Sequence, residues 1–158
     1  MRAGIGFDAH RFEEGRPLML GGVEVPFARG LAGHSDADVV LHALMDAMLG
    51  AGSFGDIGMM FPDTDEEYRG ASSLELLRRV VELVDSRGWR LGNADITVIC
   101  QAPKISDHAG GMRSVIAAAC GVAEEEISIK GKTTEGMGFT GRGEGIAAIA
   151  VATLRPNE

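Results

Sequence analysis

Gly4-Ile5-Gly6-Phe7-Asp8-Ala9-His10 decides how the chain begins to fold. Residues 2–11 read as an extended strand led by Ile5 and Phe7, in which side chains two apart share a face. Asp8 and His10 therefore point the same way. Further along, Gly33-His34-Ser35-Asp36-Ala37-Asp38 leads into His42. Val40, Leu41, Leu44, Ala47 and Met48 recur at helical spacing between Asp38 and Leu49, and Gly50 ends the pattern. One strand edge and one helix face thus offer a carboxylate and two imidazoles, from Asp8, His10 and His42, to a single metal ion. Three such ligands leave the fourth tetrahedral position open, the pattern of a working zinc rather than a structural one.

Outward from this start the elements alternate. Residues 21–27 read as a short strand or hairpin. Residues 52–71 carry Gly, Pro and Asp and read as loop. Ser72-Ser73-Leu74-Glu75 forms a capping-box pattern, followed by a helix with Leu74, Leu77, Val81 and Val84 on one stripe and Gly88 past its end. Ala94 to Cys100 is β-branched and reads as a buried strand. A third helix is predicted over about 110–120, and strands at 127–130 and 146–154. This order predicts an α/β fold, a compact two-layer sandwich of a mixed β-sheet with helices on one face.

A chain of 158 residues predicts one domain over residues 1–158. The net charge of −8 and the absence of a basic run argue against nucleic acid or an anionic membrane as partner. A phosphorylated small molecule stays open, because a bound divalent cation inverts the local sign of a site. No stretch reads as a signal peptide or a membrane span. Cys100 and Cys120 form no C-x-x-C pattern, and two free thiols point to a reducing cytoplasm.

Several other segments carry candidate chemistry. Asp38 and Asp46 lie one helical turn either side of His42; either is placed to orient its imidazole, and Asp38 reads equally as a helix N-cap. His34 and Ser35 precede the helix, where free backbone N–H groups suit a phosphate; the alternative is an ordinary loop histidine. Asp56 to Asp65 is a carboxylate-rich loop that suits sugar hydroxyls, or simply a solvated turn. Gln101-Ala102-Pro103-Lys104 follows a buried strand, a common position for a ligand loop, although a lone loop Lys is usually only solvated. Lys132 to Gly145 combines five glycines with Thr hydroxyls and Arg142, suited to phosphate, and with Glu135, suited to Mg²⁺. It is not a P-loop, since Gly131-Lys132-Thr133 lacks the upstream Gly.

Five motifs stand in order: Phe7-Asp8-Ala9-His10-Arg11; His34-Ser35-Asp36 with Asp38 and His42; Gly55-Asp56-Ile57-Gly58 running into Phe61-Pro62-Asp63-Thr64-Asp65; Gln101-Ala102-Pro103-Lys104; and Thr133-Thr134-Glu135 leading to Gly138-Phe139-Thr140-Gly141-Arg142-Gly143-Glu144-Gly145. With them the chain resembles the 2-C-methyl-D-erythritol 2,4-cyclodiphosphate synthase family over essentially its whole length. The resemblance implies that 4-diphosphocytidyl-2-C-methyl-D-erythritol 2-phosphate closes on itself, with loss of CMP, in the non-mevalonate isoprenoid pathway. It implies Zn²⁺ on Asp8, His10 and His42, and Mg²⁺ or Mn²⁺ on Glu135. It makes His34 and Thr133 the transition-state stabilisers. Asp56, Ile57, Gly58, Phe61, Pro62, Asp63, Thr64 and Asp65 match the methylerythritol pocket, with Ser35 a further substrate contact. Cys100, Gln101, Ala102, Pro103, Lys104, Ile105 and Ser106, with Lys132 and Thr134, match the cytidine and its phosphate; Phe139 and Arg142 match additional contacts.

The resemblance also implies a homotrimer with an active site at each subunit interface. An isoprenoid diphosphate is a candidate ligand of a central cavity bordered by Phe7, Phe139 and Arg142. Three positions depart from the common pattern: Ala37 where Gly is frequent, Lys132 where a third Thr is common, and Ile105 in place of Met. Two other classes remain open on the residues alone, a zinc hydrolase that releases phosphate or nucleotide without ring closure, and a non-catalytic metal- or isoprenoid-binding trimer.

Overall fold

The structure, a computed structural model, describes residues 1–157. The expected domain extends one residue further, to Glu158, which lies outside the described residues. Seven strands form: β1 (Arg2–Glu13), β2 (Leu18–Leu20), β3 (Val23–Val25), β4 (Gly30–Leu31), β5 (Trp89–Ile99), β6 (Ile127–Lys132) and β7 (Gly145–Pro156). Five helices accompany them: α1 (Val39–Gly52), α2 (Ile57–Met60), α3 (Ser73–Ser86), α4 (Ala109–Cys120) and α5 (Gly138–Gly141). The main sheet runs β4-β1-β7-β5-β6, and β2-β3 is a separate hairpin. Among the described residues only β5 and β6 pair in parallel, so the sheet is mixed, as expected.

Helices α1, α3 and α4 cover one face. Alternation along β1 sends Gly4, Gly6, Asp8 and His10 toward α1, and the two glycines let that helix lie directly on the strand. A Cβ on Gly4 would stand 2.1 Å from the Ala47 carbonyl oxygen, and one on Gly6 would stand 1.9 Å from that of Ala43. Helix α1 is buried on nearly every side, because it is wedged between the sheet and α3. The opposite sheet face is bare. Ile5 is 70% exposed and pairs with Val151, and Phe7 is 59% exposed and pairs with Ile149.

Several local expectations need correction. The capping box does not form: Ser72 makes no side-chain cap bond, and Glu75 pairs with Arg78 instead. The Asp36 carboxylate takes over, accepting the Ser73 N–H at 3.1 Å. The apolar stripe of α3 is centred on Leu76, Leu77, Val80 and Val84, with Leu74 and Val81 at its margin, because α3 meets both α1 and α4. Strand β5 starts earlier than expected, at Trp89, with a bulge between Leu91 and Asn93 that interrupts the alternation. The 52–71 loop contains α2 and a 3-10 turn at Glu66–Tyr68. The glycine-rich loop contains α5.

Candidate metal and nucleotide site

Three ligand atoms converge where the C-terminal half of β1 meets α1. Asp8 Oδ2 lies 2.8 Å from His10 Nε2 and 3.1 Å from His42 Nδ1. The two nitrogens are 3.2 Å apart. Tetrahedral zinc with bonds of ~2.0–2.1 Å holds its ligands about 3.4 Å apart, so a bound ion spreads this set by only a few tenths of an ångström. The donor set is therefore sterically and chemically suited to zinc. Among the described residues, Asp8, His10 and His42 are the group whose ligand atoms lie close enough together to hold a metal ion, the same three that spacing singled out.

The electrostatics favour a charged carboxylate. Burial pushes the Asp8 carboxyl up, but hydrogen bonds to His10 and His42 and their charges outweigh it and hold Asp8 at about 2. Burial likewise pulls His10 down, yet its bond to Asp8 raises it above its ordinary value. Each imidazole is tethered by its second nitrogen. His10 Nδ1 lies 2.7 Å from the Ala32 carbonyl oxygen. His42 Nε2 lies 3.0 Å from Ser73 Oγ and 3.2 Å from Ser35 Oγ.

Neither of the two aspartates considered for that tethering role touches the ring. Asp38 is the N-cap of α1, accepting from the Leu41 N–H at 3.1 Å and from Gly21 and Gly22 at 2.9 and 2.7 Å. Its full burial raises its pKa despite those bonds. Asp46 accepts from the Ile57 N–H at 2.8 Å, which ties α2 to α1. At the N-terminus of α1 the Leu41 N–H is thus satisfied by a protein carboxylate.

A cavity of about 260 Å³ opens from the triad. His34, Ser35, Ile57, Gly58, Phe61 and Asp63 line it, all anticipated from sequence. Gly33, Met45, Tyr68 and Leu76 complete the wall and were not anticipated; Met45, three residues after His42 on the same helix, is the one whose spacing signalled it. Asp56, Pro62, Thr64 and Asp65 do not line it. Asp56 caps α2 through the Met59 N–H, and Asp65 caps the 3-10 turn through the Glu67 N–H. Only Asp63 of the three loop carboxylates faces the cavity.

A second cavity of about 410 Å³ lies beyond the C-terminal ends of β5 and β6. Cys100, Gln101, Ala102, Pro103, Lys104, Ile105 and Ser106 line it, with Gly131, Lys132 and Thr133 opposite. The Cys100 thiol is turned to the Pro103 carbonyl, and burial raises it to about 11, which keeps it protonated and poorly nucleophilic. Thr133 Oγ1 lies 3.3 Å from Glu135 Oε1. Thr134 Oγ1 is engaged by the Met137 carbonyl and by Thr140, so its hydroxyl braces the loop. Arg142 pairs with Glu144 at 3.0 Å, and Phe139 is partly exposed on α5.

The two cavities share no residue. In the sheet register Asp8 lies level with Ala148, Val98 and Gly131. Three strand spacings separate Asp8 from Gly131, or about 14 Å. The expected stabilisers His34 and Thr133 fall in different cavities, and Glu135 stands on the second side.

A model of the YgbB family matches residues 1–155. The chain belongs to the YgbB family. A family relative from Moorella thermoacetica, named 2-C-methyl-D-erythritol 2,4-cyclodiphosphate synthase, is 56% identical over 158 residues, covering 100% of this chain and 97% of the relative. Within the YgbB fold, the bifunctional IspDF from Campylobacter jejuni superimposes with a TM-score of 0.96 at 44% identity, over 99% of this chain and 42% of that longer one. The IspF–CDP complex from Plasmodium falciparum gives a TM-score of 0.86 at 34% identity, covering 99% of this chain and 97% of the other.

Proposed function

We propose that the two cavities together perform a metal-assisted ring closure. The chain converts 4-diphosphocytidyl-2-C-methyl-D-erythritol 2-phosphate to 2-C-methyl-D-erythritol 2,4-cyclodiphosphate and CMP, a lyase step of the non-mevalonate isoprenoid pathway. An oxygen of the 2-phosphate bonds to the β-phosphorus. The bond from that phosphorus to the oxygen bridging the α-phosphate breaks, and CMP departs with its electron pair. The observation that carries this reading is the convergence of Asp8, His10 and His42 at the head of a cavity walled by Ile57, Gly58, Phe61 and Asp63.

In this reading Asp8, His10 and His42 hold Zn²⁺ and Glu135 holds Mg²⁺ or Mn²⁺, ions that supply charge neutralisation and polarise the phosphoryl oxygens. The protein's own part is positioning, which in an intramolecular attack is worth ~7–11 kcal/mol. His34 and Thr133 donate hydrogen bonds to phosphate oxygens as charge builds on them. The methylerythritol lies against Ser35, Ile57, Gly58, Phe61 and Asp63, which line the first cavity, with Asp56, Pro62, Thr64 and Asp65 of the same loop at its margin. Cytidine and its phosphate lie against residues 100–106, Lys132 and Thr134, with Phe139 and Arg142 at the margin. Cys100 and Cys120 are both buried, which agrees with a reaction that uses no thiol nucleophile.

A substrate that joins sugar to nucleotide needs both cavities, and their separation within one chain supports completion of each site by a neighbouring copy. The bare apolar ladder Ile5–Val151 and Phe7–Ile149 supports the same conclusion, since such a patch marks an association surface. We assign a homotrimer with its sites at the subunit interfaces, built from chains acting as single domains. An isoprenoid diphosphate in the central cavity, against Phe7, Phe139 and Arg142, is its candidate regulator. No described helix is long and apolar enough to cross a membrane, and two free cysteines suit the cytoplasm. The test is zinc content and CMP release in His42→Ala beside wild type. The assignment predicts loss of both; full zinc occupancy in the variant removes His42 from the ligand set.

A further inference from the structure

The two histidines of the triad are held by different kinds of partner. His10 Nδ1 faces a carbonyl oxygen, which only accepts, so its tautomer is settled by one bond: Nδ1 carries the proton and Nε2 is free for a ligand role. His42 Nε2 faces two hydroxyls, Ser73 Oγ and Ser35 Oγ, and a hydroxyl can donate or accept. Nothing in that pair alone makes His42 present a lone pair at Nδ1. The missing direction comes from Asp36. The Ser73 hydroxyl donates to Asp36 Oδ1 in a very short contact, which aims the hydroxyl lone pairs at His42. Asp36 is itself held, since it accepts the N–H of Ser73 at 3.1 Å and that of Asp38 at 3.2 Å. Ser73 is fully buried, so water does not substitute for either partner.

We propose that Asp36, acting through Ser73, is the positioning carboxylate that keeps a proton on His42 Nε2, so that Nδ1 is the nitrogen that gives up its proton and offers a lone pair to a metal ion held between Asp8, His10 and His42. The inference rests on the triad being a metal site. The chain Asp36–Ser73–His42 differs from a direct carboxylate–histidine pair by one interposed hydroxyl. Because Asp36 also caps α3 and lies in the loop before α1, the chain fixes the separation of the two helices whose N-termini flank the triad. Ser35 is the lesser partner. Its oxygen already accepts the Ala37 N–H at 3.2 Å, and no carboxylate polarises it.

The test measures Zn²⁺ affinity by chelator competition, and the absorption spectrum of the Co²⁺-loaded protein, for wild type, Ser73→Ala, Asp36→Asn and Ser35→Ala. Loss of a partner of this kind weakens metal binding about 10–100-fold. Ser73→Ala retains the backbone N–H that Asp36 caps, and Asp36→Asn retains the shape of the side chain. The melting temperature of each metal-free variant separates lost fold from lost positioning. The expected result is weakening in both Ser73→Ala and Asp36→Asn, a perturbed Co²⁺ spectrum, and a smaller change in Ser35→Ala. Unchanged affinity in Ser73→Ala overturns the proposal, as does weakening in Asp36→Asn alone or a loss matched by a collapse of the metal-free melt. Failure of the wild type to bind either ion is a different outcome, and refutes the metal site itself.

Discussion

Gly6→Ala tests whether the seat of α1 on β1 positions the metal site. The new Cβ would stand 1.9 Å from the Ala43 carbonyl oxygen and 2.8 Å from the Ala47 nitrogen. Ordinary contact begins near 3.4 Å, so the helix backbone has to retreat by about 1.5 Å. In favour of the variant, Ala replaces the more flexible Gly and reduces unfolded-state entropy, worth ~0.4–1 kcal/mol. Against it, overpacking a well-filled core costs about 1–3 kcal/mol, occasionally more. The obstacle here is backbone of a buried helix, which has no rotamer to yield, so the cost belongs at the upper end or beyond. Overpacking wins, and a net loss of about 2–3 kcal/mol is expected. The same retreat carries His42 away from Asp8, while metal sites tolerate errors of roughly 0.2 Å in their bonds. Urea unfolding of the metal-free protein, paired with zinc titration, reads both effects. A variant as stable as wild type that binds zinc unchanged would refute the reasoning.

Other outcomes follow from the same geometry. In the metal-free protein Asp8 titrates at about 2 against an unfolded value of 3.8. Its contribution, about 2 kcal/mol, is present above pH 4 and is lost as pH falls toward 2. His10 has the opposite sign: its raised pKa contributes stability below pH 6.5 that is lost as pH rises through the folded value. Denaturation midpoints across that range should fall at both ends, and Asp8→Asn should remove the acid limb. Ala37 is buried with φ of +58°. In Ala37→Gly, relief of left-handed strain of ~1–2 kcal/mol offsets the lost methyl burial of ~0.8 kcal/mol. Chemical denaturation should therefore place the variant within about 1 kcal/mol of wild type, and a loss above 2 kcal/mol would contradict the strain argument. Lys132→Thr removes one of two lysines from the second cavity, so CDP binding by calorimetry should weaken and vary less with salt. An unchanged salt dependence would place Lys132 away from the phosphates.

Much of this was legible in residue spacing. The alternation of Gly4 to His10 placed Asp8 and His10 on one face, and the helical period from Asp38 to Leu49 brought His42 to meet them. Turn chemistry was readable in part: Gly88 lies just past the end of α3 as expected, whereas α1 runs past Gly50 to Gly52. What escaped was long-range pairing. Ser72 and Glu75 satisfy the local rule for a capping box, yet Asp36, 37 residues upstream of Ser73, caps the helix instead. No local pattern joins those residues. Asp56 and Asp65 each cap the turn that follows them through one carboxylate oxygen, a structural use that composition cannot reveal. Tyr68 reaches the first cavity by packing edge-on against Phe61, and Leu76 reaches it from α3, both tertiary events.

The central claim is ring closure at the Asp8–His10–His42 site, and ³¹P NMR of the protein with the cytidyl methylerythritol 2-phosphate, Zn²⁺ and Mg²⁺ tests it most directly. Two mutually coupled diphosphate resonances of a cyclic product are expected to grow together with CMP. Free phosphate or an open-chain diphosphate would contradict it and identify a hydrolase built on the same metal site.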